Sequence, residues 1–456
     1  MKKFLVLLLA SSLLLVSGCS GNGGNDTDST TPSDNSVADT ENNQSTENSE
    51  NTAETNNSEA PDNEPVNTVP PTTSIEYTTA EPPSSDLSEE EQREYMINNS
   101  LMTVGDTSRM INVMKKAEAG EEITVGFIGG SITEGISAGD SLCYAKLTHD
   151  ALSEMFPNTT VNYVNAGLSG TPSVLGVVRA ERDLFKDKQP DIIFIEYAVN
   201  DGGDQQYKDC YESLVKKCLD KENQPAVALL FTVLKNRYSC QPQMAVVGEH
   251  YGLPMISVGN AINPMFDAGM MTWEKYSDDE SHPNFWGHEL VKDFLMNYFN
   301  KVKEEADGMD SAPAITPLPD TAVYTTEYSK MELLERDQLN VIGFEGFTEA
   351  NKVVATFNNG WMYRSSKGAS VTFTAEFKTL FLVFHCNNGA SYADADVYID
   401  GELVNTMPSN KPGGWGNPEA DHVWTGSECK EHTVEVKVAP TDGGMYYGLI
   451  GIGVVK

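Results

Sequence analysis

Hydrophobic positions change their period along this chain. Between residues 89 and 306, short apolar runs alternate with helical stripes. Residues 123–128, 161–164, 191–197, 226–231 and 255–258 are near-continuous apolar runs of strand length. Between them Tyr211, Leu214, Val215, Cys218 and Leu219 recur at helical spacing, and so do Trp286, Leu290, Val291, Phe294, Leu295 and Tyr298 after the last run. Strands covered on both faces read in this way. The pattern predicts an α/β fold, a three-layer doubly wound parallel sheet. From residue 320 to 456 the period becomes two. Val371, Phe373, Ala375 and Phe377 alternate with polar residues, and so do Val434, Val436 and Val438. Val397 and Ile399 lead into Asp400-Gly401, a tight hairpin signal. An all-β antiparallel sandwich or jelly roll is expected there. Residues 307–319, rich in Pro and Ala, are the expected connection.

The N-terminal part has neither period. Lys2 and Lys3 precede an apolar run over residues 4–16 that is too short to span a bilayer. It ends in Leu15-Val16-Ser17-Gly18-Cys19, which looks like a bacterial lipobox. Residues 1–18 are therefore expected to be a lipoprotein signal peptide, with Cys19 as the lipid-modified first residue. Simple secretion with cleavage near Ser17 is the alternative. Acyl anchoring at Cys19 implies a membrane partner and a location on the extracellular face of the bacterial cell membrane. Residues 19–88 are Ser, Thr, Asn, Asp, Glu and Pro without Lys or Arg. Such a segment buries too little apolar surface to fold and reads as a disordered acidic linker. As a coil it would span about 45 Å, and fully extended roughly 230 Å.

A length of 456 residues suits two folded domains plus accessory segments. The net charge of -36 argues against nucleic acid, whose phosphates need clustered Lys and Arg. Beyond Cys19, six cysteines follow, with no C-x-x-C pair, so no zinc or redox site is suggested. Cys210 and Cys218 lie about 12 Å apart along one helix, too far for a bridge. Most of the six read as buried small apolar residues.

The chemistry lies at the ends of the predicted strands. Gly129-Gly130-Ser131-Ile132-Thr133 follows the first strand, Asn165-Ala166-Gly167-Leu168-Ser169-Gly170 the second, and Tyr197-Ala198-Val199-Asn200-Asp201 the third. In a parallel sheet all three reach one edge. There a serine hydroxyl, a glycine N–H and an asparagine amide can surround one point, a nucleophile beside donors for an oxyanion. Far downstream, Asp279-Glu280-Ser281-His282-Pro283 puts a carboxylate three residues before a histidine, just ahead of the last helix. One loop can then present an imidazole and the acid that fixes its tautomer. Asp201 reads as a turn residue, and His288 as structural. His149, His250, His385, His422 and His432 carry no motif. The stretch is not G-x-S-x-G, so the α/β-hydrolase nucleophile elbow is absent.

These four blocks, in this order, resemble the SGNH (GDSL-like) hydrolase superfamily. The resemblance covers residues 89–304 and implies Ser131 as nucleophile, His282 as base and Asp279 as its orienting acid. It also implies an oxyanion hole from Ser131, Gly170 and Asn200, with no metal or other cofactor. One position departs: Ala198 stands where the third block usually has Gly. Within the superfamily the Gly-Gly-Ser-Ile-Thr start and the extra β domain resemble bacterial carbohydrate esterases that deacetylate polysaccharides. The expected substrate is thus an acetylated polysaccharide or oligosaccharide. A lipase- or lysophospholipase-type esterase, or a non-catalytic glycan-binding surface protein, are the alternatives. In the β domain, Trp415 lies in Lys411-Pro412-Gly413-Gly414-Trp415-Gly416-Asn417. It is expected at the tip of a flexible, projecting loop and is a candidate sugar platform. Trp361 and Trp424 read as core.

Overall fold

Six strands form the first sheet of the computed structural model: β1 (Leu101–Thr103), β2 (Ile123–Gly129), β3 (Val161–Gly167), β4 (Ile192–Glu196), β5 (Ala226–Phe231) and β6 (Met255–Ser257). Their spatial order is β1-β6-β5-β4-β2-β3. β2 to β6 run parallel, and β1 adds an antiparallel edge to β6. The structure describes residues 83, 84 and 86–456. The expected signal peptide, Cys19 and nearly all of the acidic linker lie outside them.

The apolar runs are continuous because each strand is covered twice. Ile123, Val125 and Phe127 of β2, and Ile192 and Phe194 of β4, face one cluster. That cluster is filled by α1 (Glu89–Ser100), α2 (Ser108–Glu118), α4 (Tyr144–Met155), α8 (Val258–Asp267) and α10 (Phe285–Asp307), with the single turns α3 (Ser131–Glu134) and α9 (Trp273–Tyr276) at its margin. Ile128, Ile193 and Ile195 face the opposite cluster, filled by α5 (Ser173–Asp183), α6 (Gln205–Leu219) and α7 (Gln241–His250). The strand order reverses at β2, so the crevice beyond the carboxyl ends of β2, β3 and β4 is where a ligand fits such a sheet.

Nine antiparallel strands follow: β7 (Glu332–Glu335), β8 (Asn340–Glu345), β9 (Thr348–Ala350), β10 (Gly360–Ser365), β11 (Ala369–Asn387), β12 (Asp394–Ile399), β13 (Glu402–Pro408), β14 (Trp415–Val438) and β15 (Met445–Val455). β11 and β14 are long and run through one nine-stranded sheet, with their other partners changing along their length. The first half of β11 pairs with β8, and its second half with β15, while β14 accompanies it throughout. The register shifts between Phe377 and Thr379, and a bulge there bends the strand. Before the bulge Val371, Phe373 and Phe377 alternate with solvent-facing residues; after it Leu380–Phe384 is buried throughout. Leu380, Leu382 and Phe384 face the sandwich core, whereas Phe381 and Val383 enter the cluster around α5 and α6. Asp400 (φ 52°) and Gly401 (φ 86°) make the expected tight turn between β12 and β13.

The α/β and β parts therefore share one apolar cluster and belong to one compact unit ending at Lys456. The connection between them is pinned as well. Glu212 of α6, fully buried, accepts the N–H groups of Val323 and Tyr324, and buried Lys217 Nζ donates to Met331 O at 2.6 Å. Trp361 is fully buried, while Trp424 is only partly covered, against Phe377 and His432. Cys143, Cys210, Cys218, Cys240 and Cys386 are buried free thiols, and Cys429 is exposed.

Candidate active site

Gly129-Gly130 ends β2 and delivers Ser131 as the first residue of α3. Gly130 has no room for a side chain, since a Cβ there would collide with the amide of Asn200. Asn200 closes the turn after β4, where its backbone N–H donates to Tyr197 O at 3.0 Å. Its Oδ1 is buried against Gly130 without a hydrogen-bond partner. Ala198 is fully buried and accepts the Cys240 N–H on its carbonyl, so a methyl group is tolerated at that position.

The Asp279–His282 loop is held from within. Asp279 Oδ1 accepts the backbone N–H groups of Ser281 and His282, both at 2.6 Å, and Oδ2 lies 2.7 Å from His282 Nδ1. Ser277 Oγ donates to His282 O, and Trp273 Nε1 to Asp279 O. Asn284 then caps α10. His282 Nε2 comes to 3.0 Å from Ser131 Oγ across 151 positions of sequence. Partial burial pushes the Asp279 carboxyl up. The His282 and Ser281 N–H groups and the imidazole outweigh this and hold it below the usual carboxylate range. The result is an unbroken hydroxyl–imidazole–carboxylate chain. Its imidazole can accept the Ser131 proton on one nitrogen while the other donates to Asp279.

Gly170 adopts φ +65°, and the indole of Trp415 lies where its Cβ would stand. Trp415 is 58% exposed, yet it is not at the tip of a flexible loop. It is the first residue of β14, paired with Asn387, and the turn before it is fixed by bonds from Asn388 N to Gly414 O and from Lys411 N to Asn387 O. Backbone bonds of this kind are invisible in composition, which shows only glycines. Asn417, 3% exposed, donates from Nδ2 to Gly170 O at 3.3 Å. The β part therefore reaches the turn that carries Gly170.

Three further side chains hold these turns. Glu134, three residues after Ser131, accepts from the Ser169 N–H at 2.7 Å and from its hydroxyl. Asp201, expected only to shape a turn, accepts the Ser173 N–H at 2.7 Å and hydroxyl at 2.6 Å at the start of α5. Burial raises its carboxyl to about 7. Adjacency to Asn200 was the one available signal. The third, Glu196, ends β4. His288 is fully buried and accepts the Tyr144 N–H on Nδ1, as a structural histidine would. The five histidines without a motif bond elsewhere, for example His149 to Val161 O and His432 to Asp400. Trp286 is only partly buried, with Arg93 and Lys275 over its ring. Among the described residues no group of three or more His, Cys, Asp or Glu could hold a metal ion, and no helix is long and apolar enough to cross a membrane.

Comparison with known proteins bears on the family and the fold. The GDSL-like lipase/acylhydrolase family matches residues 127–290. A solved two-domain esterase active on acetylated mannans is 30% identical, with a TM-score of 0.70, over 79% of this chain and 98% of its own. A second structure of such an esterase, co-crystallised with mannopentaose, matches at 29% identity with the same score and coverage. Both likenesses extend through the β part, because the α/β part alone cannot fill that share. A search of curated proteins gives no match. The chain belongs to the GDSL-like lipase/acylhydrolase family and is a carboxylic ester hydrolase.

Proposed function

We propose that this esterase removes acetyl groups from polysaccharides or oligosaccharides, with Ser131 as its nucleophile. The hydrogen-bonded chain from Ser131 through His282 to Asp279 is the observation that carries the reading. Ser131 Oγ attacks the acetyl carbonyl as His282 Nε2 takes its proton. Asp279 holds the imidazole in the tautomer that can accept. The Ser131 and Gly170 N–H groups and Asn200 Nδ2 receive the oxyanion. His282 then protonates the leaving sugar oxygen, and water hydrolyses the acetyl-Ser131 ester by the same steps in reverse.

The substrate class is supported by the similar two-domain esterase, which is active on acetylated mannans and was also crystallised with mannopentaose. It is also supported by Trp415, whose exposed indole beside Gly170 offers a sugar ring a face to stack on. Acetate release from acetylated mannan and xylan tests the reading, with Ser131→Ala as control. Mass spectrometry after a slow ester should find the acyl label on Ser131. Label on another serine removes the assignment, and a preference for long-chain nitrophenyl esters over acetate points to a lipid esterase. Cys19 is proposed to anchor the enzyme outside the cell. In that case Cys19→Ala releases it from the detergent phase, and an unmodified native N-terminus starting elsewhere overturns the anchor.

A further inference from the structure

Glu196 is the last residue of β4 and is completely buried. A carboxylate in such a place is costly unless it is well paired. Among the described residues its donors are the Thr232 and Thr133 hydroxyls and the Gly130 N–H, none of them a cation, and the buried Asp201 carboxyl lies within reach of its charge. Thr232 Oγ1 donates to Oε1 at 2.5 Å, and Thr133 Oγ1 to Oε2 at 3.0 Å. Burial pushes the carboxyl above its ordinary value, and these donors offset only part of the shift.

The three donors come from two parts of the catalytic edge. Thr232 directly follows β5. Gly130 and Thr133 flank Ser131 on either side, and Thr133 is further tied to Tyr144 OH at 2.8 Å. Glu196 itself stands four residues before Asn200 on the same strand end, and the Asn200 amide rests on Gly130. Gly130 thus lies between Glu196, whose charge its N–H favours, and the Asn200 amide packed against it.

We propose that Glu196 is a positioning residue: its carboxylate clamps the Gly130–Thr133 turn so that Ser131 Oγ, the Ser131 N–H and Asn200 stay in register for the tetrahedral intermediate. The proposal rests on Ser131 being the nucleophile. Misplacing a reacting group by about 1 Å can lower a rate about 100-fold without weakening substrate binding. A clamp that only held the fold would show itself in melting temperature and leave turnover intact.

Glu196→Gln and Thr133→Val keep volume while removing the charge or one donor. On 4-nitrophenyl acetate, Glu196→Gln should lower kcat by roughly 10- to 100-fold with KM within about twofold of wild type. Thr133→Val should lose about 10-fold in kcat, and Thr133→Ser should recover most of it. The double variant should lose less than the product of the two single losses, because both break one contact. Should Glu196→Gln fail to fold, Thr133→Val carries the test. Full kcat in whichever of these variants is folded overturns the proposal. So does a rise in KM that accounts for the loss, or a Thr133→Ser enzyme no better than Thr133→Val. Ser131→Ala separates the two ideas. If it stays active the nucleophile assignment fails, whereas a dead Ser131→Ala beside a fully active Glu196→Gln removes only the clamp.

Discussion

Asp279 does two jobs in this geometry, and two substitutions separate them. Oδ1 holds the loop by accepting the Ser281 and His282 N–H groups, and Oδ2 meets His282 Nδ1. Asp279→Ala removes both oxygens. Asp279→Asn can keep Oδ1 in place, but then its amide N–H₂ faces Nδ1. That nitrogen must become the acceptor, so the proton moves to Nε2, the atom 3.0 Å from Ser131 Oγ. A protonated Nε2 cannot take the serine proton. If Asp279 acts mainly by holding the loop, Asn is the milder change. If it acts by fixing the tautomer, Asn is the harsher one.

The size of each loss follows from exposure. A carboxylate and an imidazolium about 4 Å apart attract by about 1 kcal/mol in water and about 4 kcal/mol at an effective dielectric of about 20. The Asp279 side chain is 49% exposed and that of His282 23%, so screening places the pair well below the upper figure. Asp279→Ala, in which water can enter and either tautomer form, should lose roughly 10- to 100-fold in kcat. Asp279→Asn should lose about 10,000-fold, the magnitude of a wrong tautomer in a triad. Saturating 4-nitrophenyl acetate at neutral pH, with melting temperatures alongside, reads both. An Asn variant equal to or faster than the Ala variant would refute tautomer control and leave Asp279 as a loop anchor.

Asn200→Ala should lower kcat by roughly 100- to 1,000-fold with little change in KM, as for one lost oxyanion donor; a change confined to KM would make Asn200 a binding residue. Trp415→Ala should weaken deacetylation of the polysaccharide several-fold while sparing 4-nitrophenyl acetate. Equal loss on both substrates would mean that the indole supports the Gly170 turn. His288, pushed down to about 4 by burial, takes up its proton near 6.5 only when unfolded, so acid favours the unfolded chain and stability falls as pH drops from 6.5 toward 4. His288→Asn, which keeps an acceptor for Tyr144 N–H, should lose on the order of 2 kcal/mol less than wild type between pH 7 and pH 5 in denaturant titrations; an unchanged slope would contradict this.

The parts of the fold that follow from short-range pattern were legible in the sequence. Parallel strands, the amphipathic α10 and the Asp400-Gly401 turn each express a local period or a local dihedral need. The Asp279 to His282 spacing is legible for the same reason, since one loop satisfies its own N–H groups. What could not be read depends on contacts across long sequence separations. Nothing local marks Leu101–Thr103 as an antiparallel edge strand, for it is three residues long and takes its identity from Met255 and Ile256. The bulge after Phe377 appears in the sequence only as an end to alternation, and beyond it Phe381 and Val383 are covered by the α/β part. Glu196 is one carboxylate at the end of an apolar run. Its partners, Gly130, Thr133 and Thr232, come from two other strand ends.

The Gly170 turn shows why the β part is more than an appended module. Glu134 holds Ser169 from the nucleophile side, and Asp201 holds Ser173 from the Asn200 side. The third support is Asn417, which reaches Gly170 O from the β part, with Trp415 lying on the same glycine. A left-handed glycine pressed by an indole has little freedom to relax, so the position of this turn depends on how the two parts dock. That docking rests on Val174, Val177 and Val178 of α5 packed with Phe381, Val383 and Ile450. Burial of such side chains contributes about 1.5–3 kcal/mol each, enough to make separation of the parts rare. The exposed indole of Trp415 and the turn proposed to receive the oxyanion are therefore both positioned by one interface.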